Sequence, residues 1–251
     1  MHPCLTVDVE DWYDGMADLG QPVHRHGPRR SGLDALLKLL APVPCDEAHR
    51  LTFFVVGRYA PEVADELQQL AGAGHEMASH SADHTAVPED PGRLKAWLRE
   101  GRERLEEVVQ RPVRGFRSPR FDVPQTIPLK TYREILAEAG FHYVSDRHAV
   151  GKSSAVAELP VLQWRGIPIG GGSYQRLLPQ AVVRLLNSPR AEPAVLYYHS
   201  YDFGDVLPTY RQDRSRAVLH YSFGRRRIPP IFKTLLTTTG SVSCSQALHA
   251  V

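Results

Sequence analysis

At 251 residues and 42% hydrophobic content, the chain can bury a full core, as one barrel-sized domain or two smaller ones. A net charge of +2 with dispersed basic residues excludes the electrostatic footprint of a nucleic-acid binder; the triplet Arg225-Arg226-Arg227 reads as a solvated face. Cys4, Cys45 and Cys244 are far apart and odd in number, which excludes a zinc ribbon or a disulfide framework and suits reduced thiols in the cytoplasm.

Met1-His2-Pro3-Cys4 leads straight into an apolar run, so no signal peptide is expected, and no run is long enough to span a bilayer. Short apolar runs bounded by turn residues predict strands at Leu5 to Val9, Leu51 to Val56, His75 to Ala78, Val113 to Phe116, His142 to Val144, Val161 to Trp164 and Ala194 to Tyr198. The segment Asp11 to Gly32 is polar and reads as a long loop over the mouth of the fold. Helices are predicted at Pro61 to Ala71, which starts on Pro and ends at Gly, and at Pro91 to Val109, with Leu94, Trp97, Leu98, Leu105 and Val108 on one stripe. Tyr132 to Ala139, Leu178 to Leu186 and Pro230 to Leu236 follow, and Thr237 to Ser241 reads as a turn before a last short strand and helix. Strands alternating with helices of this length predict βαβ units, a parallel sheet and one α/β domain over 1–251. Gly170-Gly171-Gly172 lacks the Lys and helix start of a phosphate cradle and predicts a close backbone approach instead.

Polar residues gather at the carboxyl ends of the predicted strands, where α/β barrels build active sites. His80 and His84 are four apart, close enough on a helical turn or tight loop to share one ion. Asp8, Glu10 and Asp11 follow the first apolar run, Arg117 the fourth and His199 the last. Two His and one carboxylate with an open position describe a catalytic rather than a structural metal site. Strand alternation puts Asp8 and Glu10 on one side, so Glu10 is the favoured third ligand, with Asp11 as the alternative. Such a donor set suits zinc, and also cobalt, nickel or iron.

Several stretches carry a family resemblance: Thr6-Val7-Asp8-Val9-Glu10-Asp11-Trp12-Tyr13, Leu51 through Gly57, Gly74-His75-Glu76 through His84, Gly115-Phe116-Arg117-Ser118-Pro119-Arg120-Phe121, Gly170 through Pro179, and Leu196-Tyr197-Tyr198-His199-Ser200-Tyr201-Asp202. In this order the chain resembles a polysaccharide deacetylase with the NodB-homology fold, carbohydrate esterase family four, in the branch found beside exosortase and exopolysaccharide loci. The resemblance implies a distorted (β/α) barrel of seven or eight strands and metal-dependent removal of an N-acetyl group from an amino sugar. It implies Asp8 as general base, His199 as general acid, Arg117 as the partner that orients Asp8, and Glu10, His80 and His84 as metal ligands. The metal would polarise the acetamide and acidify water. The backbone N–H of Phe121 is a candidate oxyanion donor, and Tyr197 or Trp164 a wall of the acetyl pocket. Arg176 is a further candidate from the Gly-rich loop.

Two departures stand out. The family carries an Asp directly after the position of Tyr143; here Val144 stands there and Asp146 comes two residues later, so Asp146 and Asp202 are the alternatives for tuning His199. The family's His-Pro-Trp-Glu is His199-Ser200-Tyr201-Asp202. Two other functions fit the same features: hydrolysis of a cyclic imide or ureide amide bond, and sugar binding by a decayed site. The expected partner is an N-acetylated saccharide.

Overall fold

A computed structural model describes residues 1–11, 32–44, 46–151, 154–179, 181–183, 188, 194–204 and 223–249. The segment between Asp11 and Gly32, with His24 and His26, lies outside them, as do Cys45 and most of the helix expected after Leu178, of which 181–183 are helical. Among the described residues, seven parallel strands form one curled sheet in the order β6-β5-β4-β3-β2-β1-β7. They are β1 (Cys4–Val9), β2 (Thr52–Val55), β3 (Glu76–Ser79), β4 (Gly115–Phe116), β5 (Tyr143–Val144), β6 (Ala157–Glu158) and β7 (Val195–His199). With helices packed outside, this is a distorted (β/α)7 barrel.

The period of two along each strand sorts the side chains. Leu5, Val7 and Val9 join the large core between sheet and helices, while Cys4, Phe54, Ala78, Tyr143, Val195 and Tyr197 form a smaller inner cluster. On β1 the inward series ends in polar residues, Thr6, Asp8 and then Glu10, all buried. Both strand faces are therefore covered, which explains why β1, β2 and β7 read as near-continuous apolar runs.

The helix Pro91–Val109 has the expected bounds: Pro91 opens it, the Asp90 side chain caps it by accepting from the Arg93 N–H at 2.8 Å, and Gln110 closes it in the left-handed region. The expected helix at Pro61 is a 3₁₀ segment, Gly57–Val63, feeding an α-helix at Ala64–Gly72, because Pro61 sits inside the tighter turn. The helix expected from Tyr132 begins at Leu129, behind Pro128. Leu33–Leu40, not foreseen, is a helix burying Leu33, Leu36 and Leu40.

Three further expectations are corrected. Val161 to Trp164 is not a ladder strand; the sixth strand is Ala157–Glu158, and the later residues instead bridge the barrel's edges, with Leu162 N–H donating to the Val195 carbonyl at 2.9 Å. Thr237 to Thr239 is the last turn of the helix Ile228–Thr239, which stops at Gly240 (φ 75°). Arg226 and Arg227 are exposed as expected, but Arg225 is not part of a solvated face. Arg225 is buried and donates to the carbonyls of Tyr201 and Gly204, and Arg227 donates to those of Arg176 and Leu178 at 2.5 and 2.8 Å. Among the described residues no helix is long and apolar enough to cross a membrane.

Candidate metal centre and catalytic cavity

β1 lies between β2 and β7, with Asp8 in register with Phe54 on one side and His199 on the other. Strand pairing alone therefore sets Asp8 beside His199. The fourth strand ends at Phe116, and the next residue, Arg117, turns inward and is fully buried. Its Nη1 donates to Asp8 Oδ1 at 2.6 Å and Thr6 Oγ1 at 2.9 Å, its Nε to the Ser145 carbonyl at 3.0 Å, and its Nη2 to Ser145 Oγ at 2.9 Å. The guanidinium also lies 4.0 Å over the Phe54 ring. A buried charge needs this degree of satisfaction, and the result fixes the Asp8 carboxylate in place.

His80 directly follows β3, and His84 lies in the loop beyond it, so the pair shares a tight loop rather than a helix. His80 Nδ1 sits 2.8 Å from the Arg117 carbonyl, which can only accept, so this nitrogen carries the proton and Nε2 keeps its lone pair. That Nε2 is 3.7 Å from Glu10 Oε2, and His84 Nε2 is 2.7 Å from the same oxygen. One ligand atom from each of Glu10, His80 and His84 lies within 4.8 Å of the others, all three side chains being buried. No hydrogen-bond donor is aligned on Glu10 Oε2 despite its burial. A buried carboxylate oxygen whose nearest partners are two imidazole nitrogens is the donor set of a divalent cation, so the residues fit the metal that the sequence implies. Burial by itself would raise the Glu10 carboxyl, but the charges of His84, His199 and His80 and the His84 contact outweigh it and draw it down to about 2. Burial lowers His80, against the opposing pull of Asp8 and Glu10.

Glu10 is held by its backbone as well. Ser200 Oγ donates to the Glu10 carbonyl at 3.1 Å and accepts from the Glu10 N–H at 3.4 Å. The serine that departs from the family's His-Pro pattern thus grips the strand end carrying the carboxylate. Asp11 is also buried, but Glu10 is the carboxylate in the cluster.

His199 remains about one-fifth exposed, with Nε2 3.8 Å from Glu10 Oε1. Asp202 Oδ2 accepts from the His199 backbone N–H at 3.0 Å and lies 3.5 Å from its Nδ1. Tyr201 stacks on the imidazole with ring centres 4.9 Å apart and planes 4° from parallel. Burial would lower this histidine, but Asp202, Glu10 and Asp8 together raise it to about 9. Asp146, the other candidate neighbour, is instead 3.0 Å from Arg133 on the far side of the β5 loop.

Asp8, Glu10, His80, His84 and His199 line one cavity of about 220 Å³ together with Phe121 and Tyr197. Tyr197 meets Phe121 edge-to-face at 5.0 Å. Trp164 does not line it: that side chain is 58% exposed in a hairpin, bridged through its backbone to Ile167. The oxyanion assignment is corrected too, because the Phe121 N–H donates to the Ser118 carbonyl at 3.0 Å inside the 3₁₀ turn Pro119–Phe121. Arg176 is buried against Gly224, outside the cavity lining. The Gly-rich segment makes the close approach expected of it: a Cβ on Gly171 would stand 2.5 Å from the Tyr197 ring, and one on Gly172 2.7 Å from Tyr198. Sequence reasoning missed Arg120, Arg147, Ser173, Tyr174 and Tyr201 in the lining. Tyr174 and Tyr201 carried a signal, each lying two residues beyond a singled-out position, Gly172 and His199; Arg147, on an irregular loop, carried none.

Residues 27–144 match the family model for polysaccharide deacetylase, and residues 137–249 match a domain of unknown function, DUF3473. No curated protein sequence matches the chain. Among solved structures, a putative polysaccharide deacetylase from Mycobacterium smegmatis is 23% identical, with a TM-score of 0.59 over 99% of this chain and 89% of that one. A Puue allantoinase is 13% identical with a TM-score of 0.60, over 99% and 89% of the two chains. A family 4 carbohydrate esterase from Streptomyces lividans, in complex with acetate, is 14% identical with a TM-score of 0.52, over 96% and 91%. A polysaccharide deacetylase match over 27–144, just under half of the chain, thus adjoins a DUF3473 match over 137–249 on a barrel of the fold seen in these solved structures.

Proposed function

We propose that the protein removes the N-acetyl group from an amino sugar of a saccharide by metal-dependent amide hydrolysis. The observation that carries this reading is the convergence of Glu10, His80 and His84 between the Arg117-bound Asp8 and His199 in one cavity. A divalent cation, zinc in the first instance, held by those three residues supplies Lewis acidity toward the acetamide carbonyl and water. Asp8 takes the proton of the attacking water; Arg117 fixes which Asp8 oxygen is occupied and which faces the cavity. His199 delivers a proton to the departing amine, which is otherwise a poor leaving group, and Asp202 and Tyr201 hold its ring. Each proton transfer of this kind contributes roughly 10²–10⁴ in rate. Tyr197 and Phe121 supply an apolar wall suited to the acetyl methyl. We read 1–251 as one catalytic domain, since the two matched segments overlap and both contribute strands to one sheet. A cytoplasmic setting accords with the buried free thiols of Cys4 and Cys244.

Two variants test the proposal by acetate release and metal analysis. His80→Ala is expected to lose both metal and activity. Asp8→Asn keeps the metal and loses activity by about 10³-fold or more. Full metal and full turnover in His80→Ala overturn the assignment.

A further inference from the structure

The cavity is lined by cationic side chains besides the hydrolytic groups. Two arginines, Arg120 and Arg147, line the same cavity as the metal-ligand cluster, from two different loops. The carboxylates lining it are already engaged, Asp8 by Arg117 at 2.6 Å and Glu10 by His84 at 2.7 Å. No carboxylate pairs with Arg147 among the described residues.

Both arginines are presented on built supports. Arg147 lies between Asp146 and His148, and the backbone on either side is pinned from below. Buried Arg133 is 3.0 Å from Asp146 and donates to the His148 carbonyl at 2.8 Å, while Asp146 accepts from the His148 N–H at 2.7 Å. The Asp146 carbonyl further accepts from the Val161 N–H at 2.9 Å. The side chain itself donates to the Gly166 carbonyl, which steadies one arm of the fork. Asp146, displaced from the family's usual position, thus anchors the loop that carries a cation to the rim. Arg120 stands on a turn where it and Phe121 both adopt left-handed backbone (φ 57° and 61°), a conformation disfavoured for such residues and concentrated at functional sites. Its Nε is held by Asp122 at 2.8 Å.

We infer that Arg147, with Arg120 across the rim, forms a subsite for an anionic oxygen pair on the saccharide, a carboxylate or a phosphate, beside the acetamide that is hydrolysed. A planar guanidinium matches such a pair in bidentate geometry, which a neutral sugar hydroxyl does not provide. The inference rests on the proposed deacetylation and names the class of its substrate.

The test compares acetate release by the zinc-loaded protein from three probes: neutral triacetylchitotriose, a hyaluronan oligosaccharide carrying carboxylates, and N-acetylglucosamine 1-phosphate. The expected result is higher kcat/KM for at least one anionic probe, a preference that weakens as salt rises. Arg147→Gln lowers the anionic-to-neutral ratio by about tenfold or more, and Arg147→Lys retains part of it. The better anionic probe tells a uronate-bearing chain from a phosphorylated or nucleotide-linked sugar. A neutral probe that matches or exceeds both anions, or a ratio untouched by Arg147→Gln, overturns the subsite. If no probe releases acetate, the deacetylation reading fails, and calorimetry of the same probes decides the subsite alone. Weaker anion binding by Arg147→Gln then upholds it, and equal binding overturns it.

Discussion

The two halves of the barrel do different work. The first, through β4, supplies Asp8, Glu10, His80, His84 and Arg117, a buried cluster tied together by short contacts. The second supplies His199, one-fifth exposed, and the side chains that shape the cavity, among them Tyr174, Tyr197 and Arg147. Residues that must hold charge in fixed geometry are locked in the interior. In the second half, Tyr197 and His199 stand on β7, while Arg147 and Tyr174 stand on connecting segments, where sequence can vary with less effect on the candidate ion site.

That contrast gives a ranked set of outcomes. The largest effect belongs to the locked half. Arg117→Met leaves the Asp8 carboxylate buried without its guanidinium and is expected to cost about 3–5 kcal/mol of stability in urea denaturation. A loss below about 1 kcal/mol would mean that the pair behaves as a surface contact does. In the second half, Asp202→Asn is expected to lower kcat by about 10²-fold with metal content unchanged, since it disturbs the acid and not the ligands. Metal loss in that variant would show the halves to be coupled. Gly171→Ala pushes a methyl into the Tyr197 ring and is expected to cost about 2 kcal/mol in thermal unfolding while raising KM. The smallest effect is a pH dependence at the opposite end of the barrel. Burial, with Arg50 nearby, pushes His75 down to about 4, so the folded protein keeps it neutral while the unfolded chain takes up a proton near its ordinary value of 6.5. Stability is therefore full above that value and declines as pH falls toward 4. From about pH 7.5 to about pH 5.5 the loss is about 1 kcal/mol, and His75→Gln flattens it in denaturant titrations.

The sequence made the locked half legible and the other half only partly so. β1 and the helix Pro91–Val109 show strong patterns, apolar alternation in the one and capping with a stripe in the other. Asp8, Glu10, His80 and Arg117 lie within a residue or two of strand ends, so strand placement locates them. The short edge elements gave weaker signals. β6 has only two residues, neither fully buried, and its neighbour Val161 to Trp164 looked more strand-like because it is apolar. Trp164 was expected at the pocket for its chemistry, but residue type does not encode which way a hairpin turns. The Phe121 N–H was spent locally by a turn whose left-handed residues no pattern announces. Arg225 looked solvated because charge runs are usually so, whereas here it is buried and satisfies carbonyls of a loop distant in sequence.

The hydroxyl of Ser200 clasps the main chain of Glu10 across a separation of 190 residues. A nascent polypeptide still emerging from the ribosome consequently lacks this clasp, and the imidazole of His199, until residues 199 and 200 have been made. Contacts of such long range are slow to form, so hydrolytic competence arrives late, as one of the last events of maturation rather than an early property of the growing barrel.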